Sequence, residues 1–519
     1  MKEALGRIPA AAALYDALRP RRPRTRYNLD QLAAHLPAAV HETQHFAQGA
    51  APGRKLVVFA TLHYWIEQAV VLGLALRGMG HEVTVAFLPY SNWQGPINRF
   101  DLQRQDLYTR RVLSPLNGLV KFVSLLGVPA AGKAPCELES AIQTASRYDA
   151  MYSLQAEDVD PESDLYRLRL ERNRLACMTA LSLLERDRPD TVLIPNGLVT
   201  ELGVFYQTAR HLGLPAVTYE FNDQREQVWV AQNDIVMHQN TDDLWQARGG
   251  HPLTGIERQK IVELEQARSQ AQRYGKGTRL WQAAPTEGSD TLRKKLGLDG
   301  RPVVLLATNV LGDSLTLGRH LFASSMAEWI DRTVRYLVDR KDIQLVVRVH
   351  PGERLTKGGS MLEVVERAAP GRPENVRAIG PSEAINTYDL IGIASVGLAY
   401  TTTVGLEMAM RGLPVVLAGQ THYRGRGFTV DPSTWDEYFN ALGEILSNPR
   451  SHRPSPDRVE TAWNYAYRFF FEFPFNFPWR LMHFWRDFGE WPIGRVLSEE
   501  GQTAFGRTFG YLAGEGIRW

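Results

Sequence analysis

The sequence predicts an α/β protein of two doubly wound, Rossmann-type domains facing a cleft, with a helical and aromatic C-terminal segment. Three observations carry that expectation. Short apolar runs of strand length alternate with longer segments of helical periodicity, the pattern of a parallel sheet with crossover helices. The pattern occurs twice, on either side of a polar stretch from Ala267 to Asp290 that holds Gly275, Gly277 and Gly288. At 519 residues the chain is also too long for one core and long enough for two ordinary domains.

Residues 1–50 read as a helical and basic arm in which Arg19, Arg21, Arg22, Arg24 and Arg26 crowd together. The first domain spans 51–275. Its first strand is the apolar run KLVVFA, punctuated by Thr61 to Tyr64, and IEQAVVLGLALRGMG then carries helical spacing as far as Gly80. HEVTVAFLP supplies the next strand and completes a βαβ unit with a right-handed crossover. Residues 165–188 read as helix, TVLIP as a strand ending at Asn196-Gly197, and TELGVFYQTARHLG as a helix closed by Gly213. PAVTYE is a strand reaching Glu220, and DIVMH (234–238) reads as one more short strand. Residues 276–300 read as the linker. The second domain, 301–455, starts at PVVLLATN and continues through the helix MAEWIDRTVRYLVD and the strands IQLVVRV, NVRAI, SVGLAY and PVVLAG. Residues 456–519 read as helices crossing back to the first domain.

Composition narrows the function classes. A content of 44% hydrophobic and 22% charged residues describes a soluble globular protein. A net charge of +2 supplies no global field for nucleic acid, so none is expected as a partner. The two cysteines, Cys136 and Cys177, are not in metal-type spacing, which argues against a disulfide scaffold or a zinc site. No apolar window is long enough to span a bilayer and no secretory signal is evident, so the expected location is the cytoplasm. The arginine-rich arm and the aromatic stretch from Trp463 to Phe488 read as a solvated arm and a buried segment. The other reading is that either patch touches anionic lipid or a membrane partner, at the inner face of the plasma membrane.

The chemistry concentrates between Gln344 and Thr429, where each strand ends in a polar loop. Such loops are where open α/β sheets bind ligands. Thr401, Thr402 and Thr403 follow a strand and precede the short helix VGLEMAMRG, a place that favours an anion. Gly405 would let a ligand approach the first turn, and Glu407 could accept hydrogen bonds from ribose hydroxyls. In RVHPGE, Arg348, His350 and Glu353 converge on the same sheet edge, with Pro351 fixing the turn. Arginine and protonated histidine are natural partners of phosphate oxygens. The loop THYRGRGFT adds Tyr423, Arg424, Arg426 and the permissive Gly425 and Gly427. Asp313 and Ser314, after the domain's first strand, would face the cleft.

In the order HPGE, TTTVGLE with GLPVVLAG, then HYRGRGFT, the chain resembles the bacterial capsule polysaccharide biosynthesis proteins, which include Kdo transferases. The resemblance is clearest over residues 300–440 and weaker at IPNGLVTELGVFYQTARHLGLPAVTYE. It implies the GT-B architecture and a glycosyltransferase, with His350 and Pro351 holding the nucleotide phosphate of a CMP- or UDP-linked sugar. It also implies that the threonine turn and Glu407 grip phosphate and ribose, that no cofactor is tightly bound, and that a glycan or glycolipid is the acceptor. The chain departs from the family pattern in having one transferase-like pair of domains, and Leu198 stands after Asn196-Gly197 where an arginine is expected.

Sugar transfer needs a base for the acceptor hydroxyl or a means of stabilising the leaving phosphate. His63, at the end of the first strand, is the best-placed candidate base, with Glu67 one helical turn on to orient it. Glu220 and Asp223, after another strand end, are further candidates. No DxD-type metal motif is evident, so a metal-independent reaction is expected. Two other functions share these features: a nucleotide-sugar epimerase of the same architecture, and a non-catalytic factor of capsule assembly or export that binds a membrane complex.

Overall fold

A computed structural model describes the chain apart from residues 1–4, 7, 9, 19–25, 278–283, 357 and 372. Most of the arginine-rich arm and part of the expected linker therefore lie outside the described residues. The chain forms two compact units. One comprises Met1–Ala150, Val159–Gln239 and Pro474–Arg518, and the other Met151–Asp158, Asn240–Phe473 and Trp519.

The first unit holds a seven-stranded sheet. Its strands are β1 (Lys55–Thr61), β2 (Glu82–Leu88), β3 (Lys121–Ser124), β4 (Thr191–Pro195), β5 (Ala216–Phe221), β6 (Gln227–Gln232) and, late in the chain, Phe475–Asn476. The spatial order is Phe475–Asn476, β6, β5, β4, β1, β2, β3. Pairs from β5 to β3 are parallel, while β6 runs antiparallel to β5 and Phe475–Asn476 antiparallel to β6. β1, β2 and β4 are buried over nearly their whole length, which is why they read as continuous apolar runs rather than as alternations.

One strand expectation fails. Residues 234–238 hold a 3-10 turn, Val236–His238, and the antiparallel strand is β6 before it. Asn222–Glu226 forms a polar hairpin turn, and β6 alternates half-buried and buried residues, a weaker signal than the apolar run that follows it.

The second unit holds five parallel strands, β7 (Val303–Ala307), β8 (Gln344–Arg348), β9 (Val376–Ile379), β10 (Val396–Ala399) and β11 (Val415–Leu417), in the order β11, β10, β7, β8, β9. Helix Met326–Val338 shows how the sheet is covered. Met326, Trp329, Ile330, Thr333, Val334 and Leu337 recur at helical spacing and are all buried. Ser325 starts the helix by accepting the Glu328 N–H at 2.9 Å. Trp329 is fully buried and its indole N–H reaches the Tyr438 hydroxyl at 2.9 Å, so its large apolar area is gained without an unmet donor.

Residues 240–275, expected in the first domain, belong to the second unit, and the C-terminal segment divides at Phe473/Pro474. Helix Gly255–Ser269 joins the second unit through its buried residues Ile261, Leu264 and Arg268, the last paired with Glu407. Many aromatics of the C-terminal segment are core: Tyr465, Phe469, Phe473, Phe477, Trp479, Phe484 and Phe488 are buried, while Trp463, Phe470, Phe471 and Trp485 are half-buried. Among the described residues no helix is long and apolar enough to cross a bilayer.

Candidate functional site

In the second unit the chain moves from β7 outward through β8 to β9, then returns to the other side of β7 as β10 and β11. The order reverses between β7 and β10, and the crevice outside the carboxyl ends at such a reversal is where open α/β sheets take ligands. Three strand-end loops are tied together there. The Asn309 side-chain oxygen accepts the Thr401 N–H at 3.2 Å. The Thr308 hydroxyl accepts the His350 N–H at 3.0 Å. Asn309, Asp313, Ser314, His350 and Thr403 are half-buried, as walls of a site are, and the Thr401 hydroxyl is buried without a partner.

His350 is the best-prepared group in this set. Its Nδ1 accepts the Gly352 N–H at 3.0 Å, so the proton of the neutral ring sits on Nε2. A side chain at position 352 would meet that Nδ1 at 2.9 Å and Val310 at 3.0 Å, which is why glycine follows the His-Pro pair. Pro351 opens the 3-10 turn Pro351–Leu355. Asp313 caps its own turn, accepting the Leu315 N–H at 3.0 Å, and Ser314 follows it in the same turn.

Five other predicted residues are wired into the fold. The Arg348 guanidinium is buried and donates to the carbonyls of Gly380 at 2.7 Å and Ile385 at 3.3 Å, holding the loop after β9. Glu353 accepts Ser360 Oγ at 2.5 Å and the Met361 N–H at 3.3 Å, so it caps helix Met361–Ala368. Glu407 Oε1 accepts from Arg268 Nη1 and from Tyr388 Oη, each at 2.9 Å, rather than standing open to a ribose. Tyr423 is fully buried and its hydroxyl donates to the Thr402 carbonyl at 2.7 Å. The space beside Gly405 is filled by that same hydroxyl, 2.3 Å from where a Cβ would lie, so the glycine admits Tyr423 and not a ligand. Thr402 Oγ1 accepts the Val404 N–H at 3.4 Å, and Thr403 forms no side-chain cap. The helix they lead into, Val404–Met410, has seven residues, so its dipole is a modest contributor. Gly427 has φ +85° with open space around it. Arg426 pairs with Asp242, and Arg424 donates to the Asp431 carbonyl at 2.7 Å.

The first unit has a reversal of its own, between β1 and β4. The loops there carry backbone strain: Leu62, Asn196 and Thr200 have φ of 64°, 59° and 56°. Non-glycine residues in the left-handed region cost energy and cluster at functional sites. Thr61 Oγ1, His63 Nδ1, Gln68 Nε2 and Thr200 Oγ1 are buried without partners in the same region. His63 opens helix His63–Gly78, and burial lowers its pKa, so its imidazole is a neutral base. Glu67 is one turn on. Burial pushes its carboxyl up to about 7, against the lowering effect of the Trp485 indole N–H at 3.2 Å.

Glu220 is brought to the same edge. It accepts the Asn196 amide at 2.9 Å and the Phe221 N–H at 2.9 Å, and burial raises its pKa. The Asn196 side-chain oxygen caps the following turn through Leu198 and Val199. Asp223 lies apart from them, in the hairpin turn between β5 and β6, where its carbonyl accepts Arg480 Nη1 at 3.1 Å.

Sequence reasoning missed Asn309 and the buried cluster behind Thr200. Asp149 accepts the Thr200 N–H and Arg169 Nε at 3.0 Å, while Arg169 Nη2 reaches Glu201 at 2.7 Å. Asp149 sits in a helix 51 residues earlier in sequence, so nothing local signals the contact. Among the described residues no group of three His, Cys, Asp or Glu side chains is placed to hold a metal ion.

No family model matches the sequence, and no curated protein matches it. Among solved structures the chain is similar to a β-Kdo 2,4 transferase, KpsC, of Thermosulfurimonas dismutans, with 18% identity, a TM-score of 0.33, and coverage of 53% of this chain and 78% of that one. It is also similar to a UDP-GlcNAc 2-epimerase of Neisseria meningitidis bound to UDP-GlcNAc, with 12% identity, a TM-score of 0.26, and coverage of 81% and 99%. A third likeness is to the glycosyltransferase SsfS6 of Streptomyces sp. SF2575 complexed with thymidine diphosphate, with 13% identity, a TM-score of 0.21, and coverage of 86% and 98%. The mixed α/β fold of this chain is defined by the strand orders above, not by these likenesses.

Proposed function

We propose that the protein is a glycosyltransferase that takes a sugar from a CMP- or UDP-linked donor and passes it to a glycan or glycolipid acceptor. The observation that supports this most is the linkage of three strand-end loops at the β7/β10 reversal, with Asn309 on Thr401 and Thr308 on His350. In this reading His350 Nε2–H donates to a donor phosphate, and the unpartnered Thr401 hydroxyl bonds the same ligand. His63 takes the proton of the acceptor hydroxyl as a neutral base, and Glu67 and Glu220, neither of them bonded to its Nδ1, are the further candidate proton acceptors. The resemblance of the HPGE and TTTVGLE motifs to capsule biosynthesis proteins extends the proposal to a surface polysaccharide made in the cytoplasm without a metal.

Calorimetry on the full chain with CMP, UDP and their linked sugars tests the donor site. His350→Ala is expected to weaken nucleotide binding by about tenfold or more, which corresponds to about 1.4 kcal/mol. Failure of every nucleotide to bind the wild type would remove the proposal at its root. Incubation with nucleotide sugars and no acceptor separates the alternatives, since an epimerised nucleotide sugar as product would replace transfer with epimerisation. A variant His63→Ala that binds donor but does not turn over supports the assigned base, and one with full activity removes it.

A further inference from the structure

We infer that the first unit carries a separate binding site for a phosphate-bearing anion, at the amino edge of its sheet. A cavity of about 550 Å³ is lined by Arg54, Arg507, Tyr511, Glu515, Gly516 and Arg518. Arg54 immediately precedes β1, and the Thr191 hydroxyl at the start of β4 donates to the Ala513 carbonyl at 3.2 Å. The cavity thus lies at the ends of β1 and β4 opposite to the strained loops, and it is no part of the site described above.

The lining brings three guanidinium groups together with one carboxylate, an excess of two positive charges. None of the three guanidiniums is in an ion pair with a described residue. Two of them are held in place by neutral oxygens. Arg54 Nη1 donates to the carbonyls of Gly514 at 2.6 Å and Ala513 at 3.3 Å. Arg507 Nε donates to the Tyr511 hydroxyl at 2.5 Å, and its Nη2 donates to the Arg518 carbonyl. The Arg518 N–H donates to the same hydroxyl at 3.2 Å, so the tail is clamped to the helix that bears Arg507. The space beside Gly514, φ +93°, is taken by Thr191 and by Arg54 Nη1, and a side chain there would displace the guanidinium.

Preorganised arginines with unused donors suit phosphate oxygens, which they bond in pairs with charge assistance. A phosphate carrying two negative charges matches the excess of the lining. The ligand is a soluble phosphorylated molecule or a phospholipid headgroup, which share this chemistry.

Titration calorimetry of the full chain with inorganic pyrophosphate at low salt tests the inference. Apart from an anion held at the His350 site, one bound anion is expected, weakened about tenfold or more in Arg507→Gln/Arg518→Gln and retained in His350→Ala. Glu515→Gln is expected to tighten binding several-fold by removing the one carboxylate among the lining residues, and it decides the matter if the double variant does not fold. Co-sedimentation with phosphatidic acid vesicles in phosphatidylcholine identifies the source. Vesicle binding lost in the double variant marks a headgroup, and pyrophosphate binding without vesicle binding marks a soluble ligand. No binding by the wild type, binding indifferent to the double variant, loss in His350→Ala alone, or no gain in Glu515→Gln would each overturn the inference.

Discussion

Glu407→Gln is expected to lower the stability of the second unit by about 3 kcal/mol, because it leaves the buried Arg268 charge without its counter-ion. Arg268 and Glu407 are both buried, 2.9 Å apart, and the Tyr388 hydroxyl shares the same carboxylate oxygen. Burial first, and the Glu407 charge second, hold the Tyr388 hydroxyl well above its ordinary pKa, so it remains a donor. Glutamine keeps an acceptor for Tyr388 but cannot neutralise the guanidinium, which also lies 4.2 Å over the Phe470 ring. Chemical denaturation monitored by tryptophan fluorescence reads the loss. Replacing both partners, Arg268→Met with Glu407→Leu, is expected to recover most of it, since removing a buried pair together costs far less than removing one member. An unchanged melting temperature with weakened nucleotide binding would instead return Glu407 to the ligand site.

Glu67→Gln is expected to stabilise the first unit at pH 8 while abolishing or slowing turnover. The folded-state pKa of Glu67, about 7, stands above the ordinary 4.5, so folding favours the protonated carboxyl. A raised pKa contributes stability that is fully present below pH 4.5 and is lost as pH climbs through 7. Across that window the loss is on the order of 3 kcal/mol. Glutamine mimics the neutral form, keeps an oxygen for the Trp485 N–H, and has nothing to ionise. Melting temperatures of wild type and variant should therefore coincide near pH 4.5 and diverge by pH 8, the variant higher. A constant offset at all pH values would contradict the burial argument. Stability gained where activity is lost is the pattern of a site that holds a group in an unfavourable state for its chemistry.

How much of the site was legible depended on whether its partners were local. The apolar runs of β1, β4, β7 and β8 and the carboxyl-end loops that follow them could be read directly, and the His350-Pro351 turn falls where the motif puts it. Arg348, Glu353 and Glu407 had the right chemistry for a ligand but are spent on Gly380, Ser360 and Arg268. Gly380 and Arg268 lie in other segments and Ser360 at the far end of the same connection, so the motif could not show that the valence was filled. Gly405 illustrates the same limit, since permissiveness in the backbone does not say what occupies the space, and here Tyr423 does. The strand misplaced at 234–238 failed because a half-buried antiparallel strand gives a fainter pattern than the apolar turn beside it.

The sequence by itself determined the alternation of buried strands and helices, and with it the mixed α/β class and the loops that end each strand. Periodicity and apolar content are local quantities, written into consecutive residues. Only the tertiary structure decided which of those loops meet at the strand-order reversals, and which polar side chains remain unspent there. Strand order and the satisfaction of buried polar groups depend on contacts between distant segments, such as Asn309 with Thr401 and Asp149 with Thr200. That dependence put Glu407 in a buried ion pair, joined Asn309 to Thr401 at the β7/β10 reversal, and left the Thr401 hydroxyl there and His63 Nδ1 near the β1/β4 reversal buried without partners.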